Sequence, residues 1–181
     1  YVSGYWGFYY TPLGFDGCYF AILPKDASKP AGMVLPALEL RRLETVGMPW
    51  IDNIILYSAE GDGEFFDDGF PRGKDYQGWP IDPGASLNPL EEKWKAIIAR
   101  FKNSYSENSI QALIRSIKDA DLAGKTILID DLRIQKWLKD IGGVDINFCF
   151  RPELFNEIRI VKTKNEIDIM RTAAIINEES M

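Results

Sequence analysis

The apolar residues of this chain fall into two kinds of stretch. Ile54-Ile-Leu56 and Thr126-Ile-Leu-Ile129 are short apolar runs without alternation, the pattern of strands covered on both faces. Between and around them, apolar residues recur every three or four positions, the helical period. A helix is expected over 37–46, with Leu40 and Leu43 inward and Arg41, Arg42 and Glu44 outward. A second should start at Pro89, where a proline's missing N–H costs nothing, and carry Leu90, Trp94, Ile97, Ile98 and Phe101 as its stripe. A third, over 106–122, places Ile110, Leu113, Ile114 and Ile117 at i, i+3, i+4 and i+7 before Gly124, the spacing of one core-facing stripe. A fourth covers 131–141 and stops at Gly142-Gly143.

The strand pattern adds 53–57 and 126–129 as buried strands, Met33-Val-Leu35 as a short one, and 144–150 as the last. Residues 1–4 and 18–23 read as neighbouring strands joined across the Asp16-Gly17 turn. Strands therefore alternate with helices, and the first strands look like hairpins. The expected fold class is α/β, a mixed and mostly buried sheet flanked by helices. Residues 60–88 show no periodicity and hold six glycines and three prolines. So long a stretch inside a compact domain reads as an insertion.

The C-terminal stretch is the most explicit local signal. Thr163-x-x-Glu166 is a capping box, in which each residue's side chain takes the other's backbone N–H. Ile167, Met170 and Ala174 follow at helical spacing, so a helix with an apolar face starts at Lys164, after a single helical turn over 153–156. No Gly or Pro interrupts it.

Composition narrows the function. The chain has 181 residues, enough for one domain with its own core. A net charge of -6 argues against a nucleic-acid partner, which needs a basic face, and gives no pull toward an anionic membrane. No apolar run approaches the roughly 20 residues of a membrane-spanning helix. The two cysteines, Cys18 and Cys149, sit in apolar runs and read as buried reduced thiols. Histidine is absent. That removes Ser-His-Asp and Cys-His catalysis, histidine zinc sites and the commonest general base.

Four other features invite chemistry. The acidic loop Asp62-Gly-Glu-Phe-Phe-Asp67-Asp68 lacks the spacing of a calcium loop and reads as solvated charge. Asp130-Asp131 follows a strand, where α/β folds place functional groups and where an N-cap carboxylate also belongs. With no second acid, base or nucleophile at a readable spacing, capping is the better account. Gly61-x-Gly63 does not join a strand to a helix start, so it forms no phosphate loop. The aromatic segment Trp6-Gly-Phe-Tyr-Tyr10 is either core packing or a binding surface. Its members Trp6, Phe8, Tyr9 and Tyr10 are the candidates for a substrate-pocket wall or a subunit contact.

Arg159-x-x-Lys-Thr-x-x-Glu-Ile-x-x-Met-Arg-x-Ala-Ala174 resembles the junction between the N-terminal and catalytic domains of the creatinase, prolidase and aminopeptidase P family of "pita-bread" metalloenzymes. Tyr1-Val-Ser-Gly-Tyr5, Leu38-Glu39-x-x-Arg42 and Ile127-Leu-Ile-Asp130 are similar, in the same order, to segments of that family's N-terminal domain. The resemblance spans nearly the whole chain. It implies a ribonuclease H-like layering over 1–158, with the family's first strand falling before Tyr1 and the insertion at 60–88. It makes 159–181 the junction and the start of a catalytic domain's first helix.

The resemblance also implies a function. The parent would be a C–N bond hydrolase, an Xaa-Pro dipeptidase, an aminopeptidase or a creatinase-like enzyme, using two divalent metal ions (Mn, Zn or Co). Family metal ligands are two Asp, one His and two Glu beyond the junction, so none is assigned here, and no catalytic residue either. The 1–158 unit would be non-catalytic and supply homodimer contacts and part of the substrate pocket, with its own catalytic domain as partner and a cytoplasmic location. In creatinase the loop after the Ser-Gly segment contributes an aromatic and an Arg. Here residues 6–15 keep the aromatics but have no Arg. The alternatives are a stand-alone binding or dimerisation module, or a lyase on the same scaffold.

Overall fold

The computed structural model describes residues 19–40, 42–43, 50–57, 84–141 and 143–180. Strand β1 (Phe20–Ile22) pairs antiparallel with β2 (Gly32–Pro36), with Phe20 opposite Val34. A single 3-10 turn (Ala37–Glu39) follows and runs into helical residues at Leu40 and Leu43. Strand β3 (Asn53–Tyr57) lies parallel to β2, with Val34 opposite Ile55. Helix α1 (Pro89–Phe101) leads to the two-residue β4 (Tyr105–Ser106), which adds parallel to β3. Then come α2 (Ser109–Asp119), β5 (Thr126–Ile129), α3 (Arg133–Ile141), β6 (Asn147–Phe150), α4 (Pro152–Ile160) and α5 (Lys164–Glu179). Among the described residues the strands form a four-stranded sheet in the order β1-β2-β3-β4 and a two-stranded parallel sheet, β5-β6. The fold is mixed α/β and its strand pairs are mostly parallel.

The alternation of side chains along β2 and β3 explains why both are apolar throughout. Val34, Ile55 and Tyr57 point into one core with Ile110, Leu113, Ile114 and Ile117 of α2 and Leu138 of α3. Met33, Leu35, Ile54 and Leu56 point into a second core with Leu40, Leu43, Ile51 and Phe101. Helices thus cover the main sheet on both faces. Ile97 and Ile98 of α1 pack partly against the second core. The stripe expected on α2 faces the sheet; of that on α1, Ile97, Ile98 and Phe101 pack on the second core and Leu90 stays 45% exposed.

Several expectations change. The third helix begins at Ser109, not at 106, because 105–106 extends as β4. The Leu56 N–H donates to the Ser104 carbonyl at 2.7 Å, and Asn108 caps α2 by accepting from the Gln111 N–H at 2.8 Å. Strand β5 is not covered on both faces. Ile129 is buried, but Leu128 is 44% exposed on the other side. The last strand is 147–150, although Val144 and Ile146 still pack against the first core. The single turn at 153–156 is a nine-residue helix that starts with Pro152 in its first turn. The segments 1–4 and 60–83, with their strand and insertion readings, lie outside the described residues, as does Cys18. Cys149 is a free, half-buried thiol on β6.

Glu39 was not singled out by the pattern, yet it is 1% exposed. Its Oε1 accepts from the Tyr19 hydroxyl at 2.6 Å, the kind of partner a buried carboxylate needs.

Candidate docking surface

Trp6, Phe8, Tyr9 and Tyr10 lie outside the described residues, as does the acidic loop 62–68. Asp130 and Asp131 are described, and Asp131 acts as a cap. Its Oδ1 accepts from the Arg133 N–H at 2.9 Å, and its carboxylate takes the Arg133 guanidinium at 2.7 Å. The side-chain bond foremost, then the backbone bond and the Arg133 charge, hold the Asp131 carboxyl below its ordinary range, against the opposing effect of burial. The same guanidinium lies 5.3 Å from the centre of the Trp137 ring, within cation–π range. Among the described residues no group of three or more His, Cys, Asp or Glu is arranged to hold a metal ion, and no helix is long and apolar enough to cross a membrane.

The feature that stands out is the α4–α5 pair. Helix α4 ends at Ile160, and Val161 leaves it in an extended conformation (φ -81°, ψ 110°). Two residues later the expected capping box forms. Thr163 Oγ1 accepts from the Glu166 N–H at 3.3 Å, and Glu166 Oε2 accepts from the Thr163 N–H at 2.7 Å. The Ile167 N–H then donates to the Thr163 carbonyl at 3.1 Å, closing the first turn. Glu166 also places negative charge at the positive end of the helix dipole. At the far end the Ser180 N–H caps the Ile176 carbonyl at 3.2 Å.

A helix this well defined at both ends would ordinarily bury one side. No residue of α5 is buried. Ile167, Met170 and Ala174 form the face read from the sequence. With Ile160, Lys162 and Arg171 they line an open groove of about 480 Å³. Ile169 and Ile176, at 69% and 59% exposure, fall with Ala173 on a second stripe about a third of a turn round the helix. The sequence reading missed this second face, although the i, i+4, i+7 spacing of 169, 173 and 176 carries it. Apolar side chains thus cover a wide arc of a helix that buries none of them. Ile160, which lines the groove, is 70% exposed, and Ile158 and Val161 beside it in sequence are 58% and 78% exposed. Scattered exposed apolar residues are normal, but a contiguous set marks an interaction surface.

Electrostatically the groove is basic at its rim. Among the described residues its charged lining is Lys162 and Arg171, on a chain of net charge -6. Arg171 is partly engaged by Asp168 on its own helix at 3.3 Å, with its side chain 73% exposed. Among the described residues the groove lining holds no acid, base or nucleophile set. The arrangement can bind an apolar surface and steer it by charge. No family model, curated protein or solved structure matches the chain.

Proposed function

We propose that this chain is the non-catalytic N-terminal domain of a metal-dependent C–N bond hydrolase of the creatinase, prolidase and aminopeptidase P type. In this reading α5 passes the chain on to a catalytic domain. The observation that carries it is α5 itself, capped at both ends, sixteen residues long, apolar on two faces and nowhere buried. Such a helix is stable in company, and a following domain would supply that company on both sides. The order of elements before it, two strands, a helical turn, a buried strand and then alternating helices and strands, agrees with the resemblance of the quoted segments. The domain would contribute homodimer contacts and, through residues 6–10, part of a substrate-pocket wall.

Two divalent metal ions in the catalytic domain would activate a water for attack on the scissile C–N bond. The described residues offer no ligand cluster, and no step of that chemistry is assigned to this chain. The test is to express the chain together with whatever reading frame follows Met181 and to assay Xaa-Pro dipeptides and creatine with added Mn, Zn or Co. Metal-dependent hydrolysis by the extended protein, and none by residues 1–181 alone, is the expected result. Turnover by residues 1–181, or a stop codon directly after Met181, would overturn the reading. The stop codon would favour a stand-alone binding module instead.

A further inference from the structure

The groove between α5 and the linker that precedes it combines an apolar lining with cationic neighbours. Ile160, Ile167, Met170 and Ala174 form the apolar lining, and Lys162 and Arg171 are the charged residues beside them. Both are cationic. Ile167, Met170 and Ala174 are spaced i, i+3 and i+7, so they form a continuous ridge along one side of α5. A second helix packs against such a ridge by setting its own side chains into the groove.

We propose that this groove is a docking site for an acidic amphipathic helix, one that places large aliphatic side chains on Ile167 and Met170 and carboxylates beside Lys162 and Arg171. The inference rests on the reading above and assigns the partner helix to the domain that follows α5. Apolar contact supplies the attraction. The two cations set the register and reject a basic partner, because like charges brought together at an interface are costly. Arg171 does not have to be freed for this. Its guanidinium offers five donors in a planar fork, and Asp168 Oδ1 engages NH1.

The test uses the 181-residue chain and two synthetic helical peptides with the same leucine stripe. One carries glutamates on both flanks of the stripe and the other lysines at the same positions. Binding is followed by titration with methyl-labelled protein, so that the site is read along with the affinity. Two exposed ion pairs are worth roughly tenfold in affinity together. The glutamate peptide should therefore bind about tenfold tighter at low salt, shifting the methyls of Ile167, Met170 and Ala174. Added salt should narrow the gap. The double variant Lys162→Gln/Arg171→Gln should abolish the preference, and Lys162→Glu/Arg171→Glu should reverse it. Both substitutions lie on exposed side chains, and an unchanged circular dichroism spectrum checks that α5 still forms. Equal affinity for the two peptides, binding of neither, or shifts confined to other methyls would overturn the proposal. These outcomes are independent of the hydrolysis assay. A protein without hydrolase activity can still show the charge preference, and a metal-dependent hydrolase can lack it.

Discussion

Gly32 offers the sharpest test of how the α2 helix sits on the sheet. It lies in β2, opposite Asn53 of β3. A Cβ added there would overlap Ser116 Oγ while standing 3.5 Å from Ser116 Cβ and 3.7 Å from Asn53 Nδ2. Ser116 is fully buried within α2, and its Oγ has no hydrogen-bond partner among the described residues. The helix therefore approaches the strand as closely as it does because Gly32 has no side chain. Gly32→Ala should cost about 1–3 kcal/mol, the range for an extra methyl forced into a packed core. Ser116→Ala should be close to neutral, because it removes a buried hydroxyl without orphaning a partner. The double variant should recover most of the loss, since the remaining Cβ–Cβ contact at 3.5 Å is ordinary van der Waals contact. It also gains about 0.5–1 kcal/mol from replacing a strand glycine. Urea denaturation of the four proteins gives the coupling directly, and we expect about 1–3 kcal/mol. If Gly32→Ala costs the same with serine or alanine at 116, the close approach of α2 to β2 is not the cause and the packing argument fails.

Thr163→Ala removes the hydroxyl half of the capping box and should weaken the first turn of α5 by about 0.5–2 kcal/mol. Amide exchange from Glu166 onward should speed up while the global urea midpoint stays put, since no α5 residue is buried; a lower midpoint would mean α5 is packed after all. Asp131 has a folded-state carboxyl pKa held below its ordinary value of 3.8 by Arg133. Its contribution to stability is present above 3.8 and is lost as pH falls through that value toward the depressed one. The wild-type advantage over Asp131→Asn should shrink over that fall in pH, and an advantage that grew on acidification would contradict the assignment.

The legible parts of this fold are those whose signals are local. The stripe Ile110, Leu113, Ile114 and Ile117 and the box Thr163/Glu166 needed only their own spacing. Each is found where that spacing puts it, against the sheet or at the helix start. The capping box at the start of α1 is equally local, but Asn88 stands at the edge of a glycine-rich stretch that masks its signal. It accepts from the Leu90 and Glu91 N–H groups at 2.9 and 3.0 Å. The apolar run at 126–129 shows the limit of a local pattern. An unalternating run marks a strand, but whether both its faces are covered depends on what other elements do. Leu128 is exposed although it looks like Ile55 in sequence. The extended β4 is similar. Two residues become a strand because β3 lies alongside and Arg115 of α2 holds the approach, its guanidinium donating to the Asn103 carbonyl at 2.8 Å.

For the candidate surface the division is sharper. One apolar face of α5 was readable, since periodicity along a single helix is a property of sequence. That nothing in the described fold covers either face, and that Lys162 and Arg171 flank one of them, came only from the tertiary arrangement. The sequence by itself determined the alternation of the longer strands and helices, the cap of α5 and the core-facing stripe of α2. Spacing, capping and the period of apolar side chains act within a few residues, so they are written in the chain. The tertiary structure decided which strands are covered, where Gly32 admits Ser116, how Glu39 is satisfied by Tyr19 and which apolar surface remains open. Each of these depends on contact between residues far apart in sequence, set by packing rather than by any local preference.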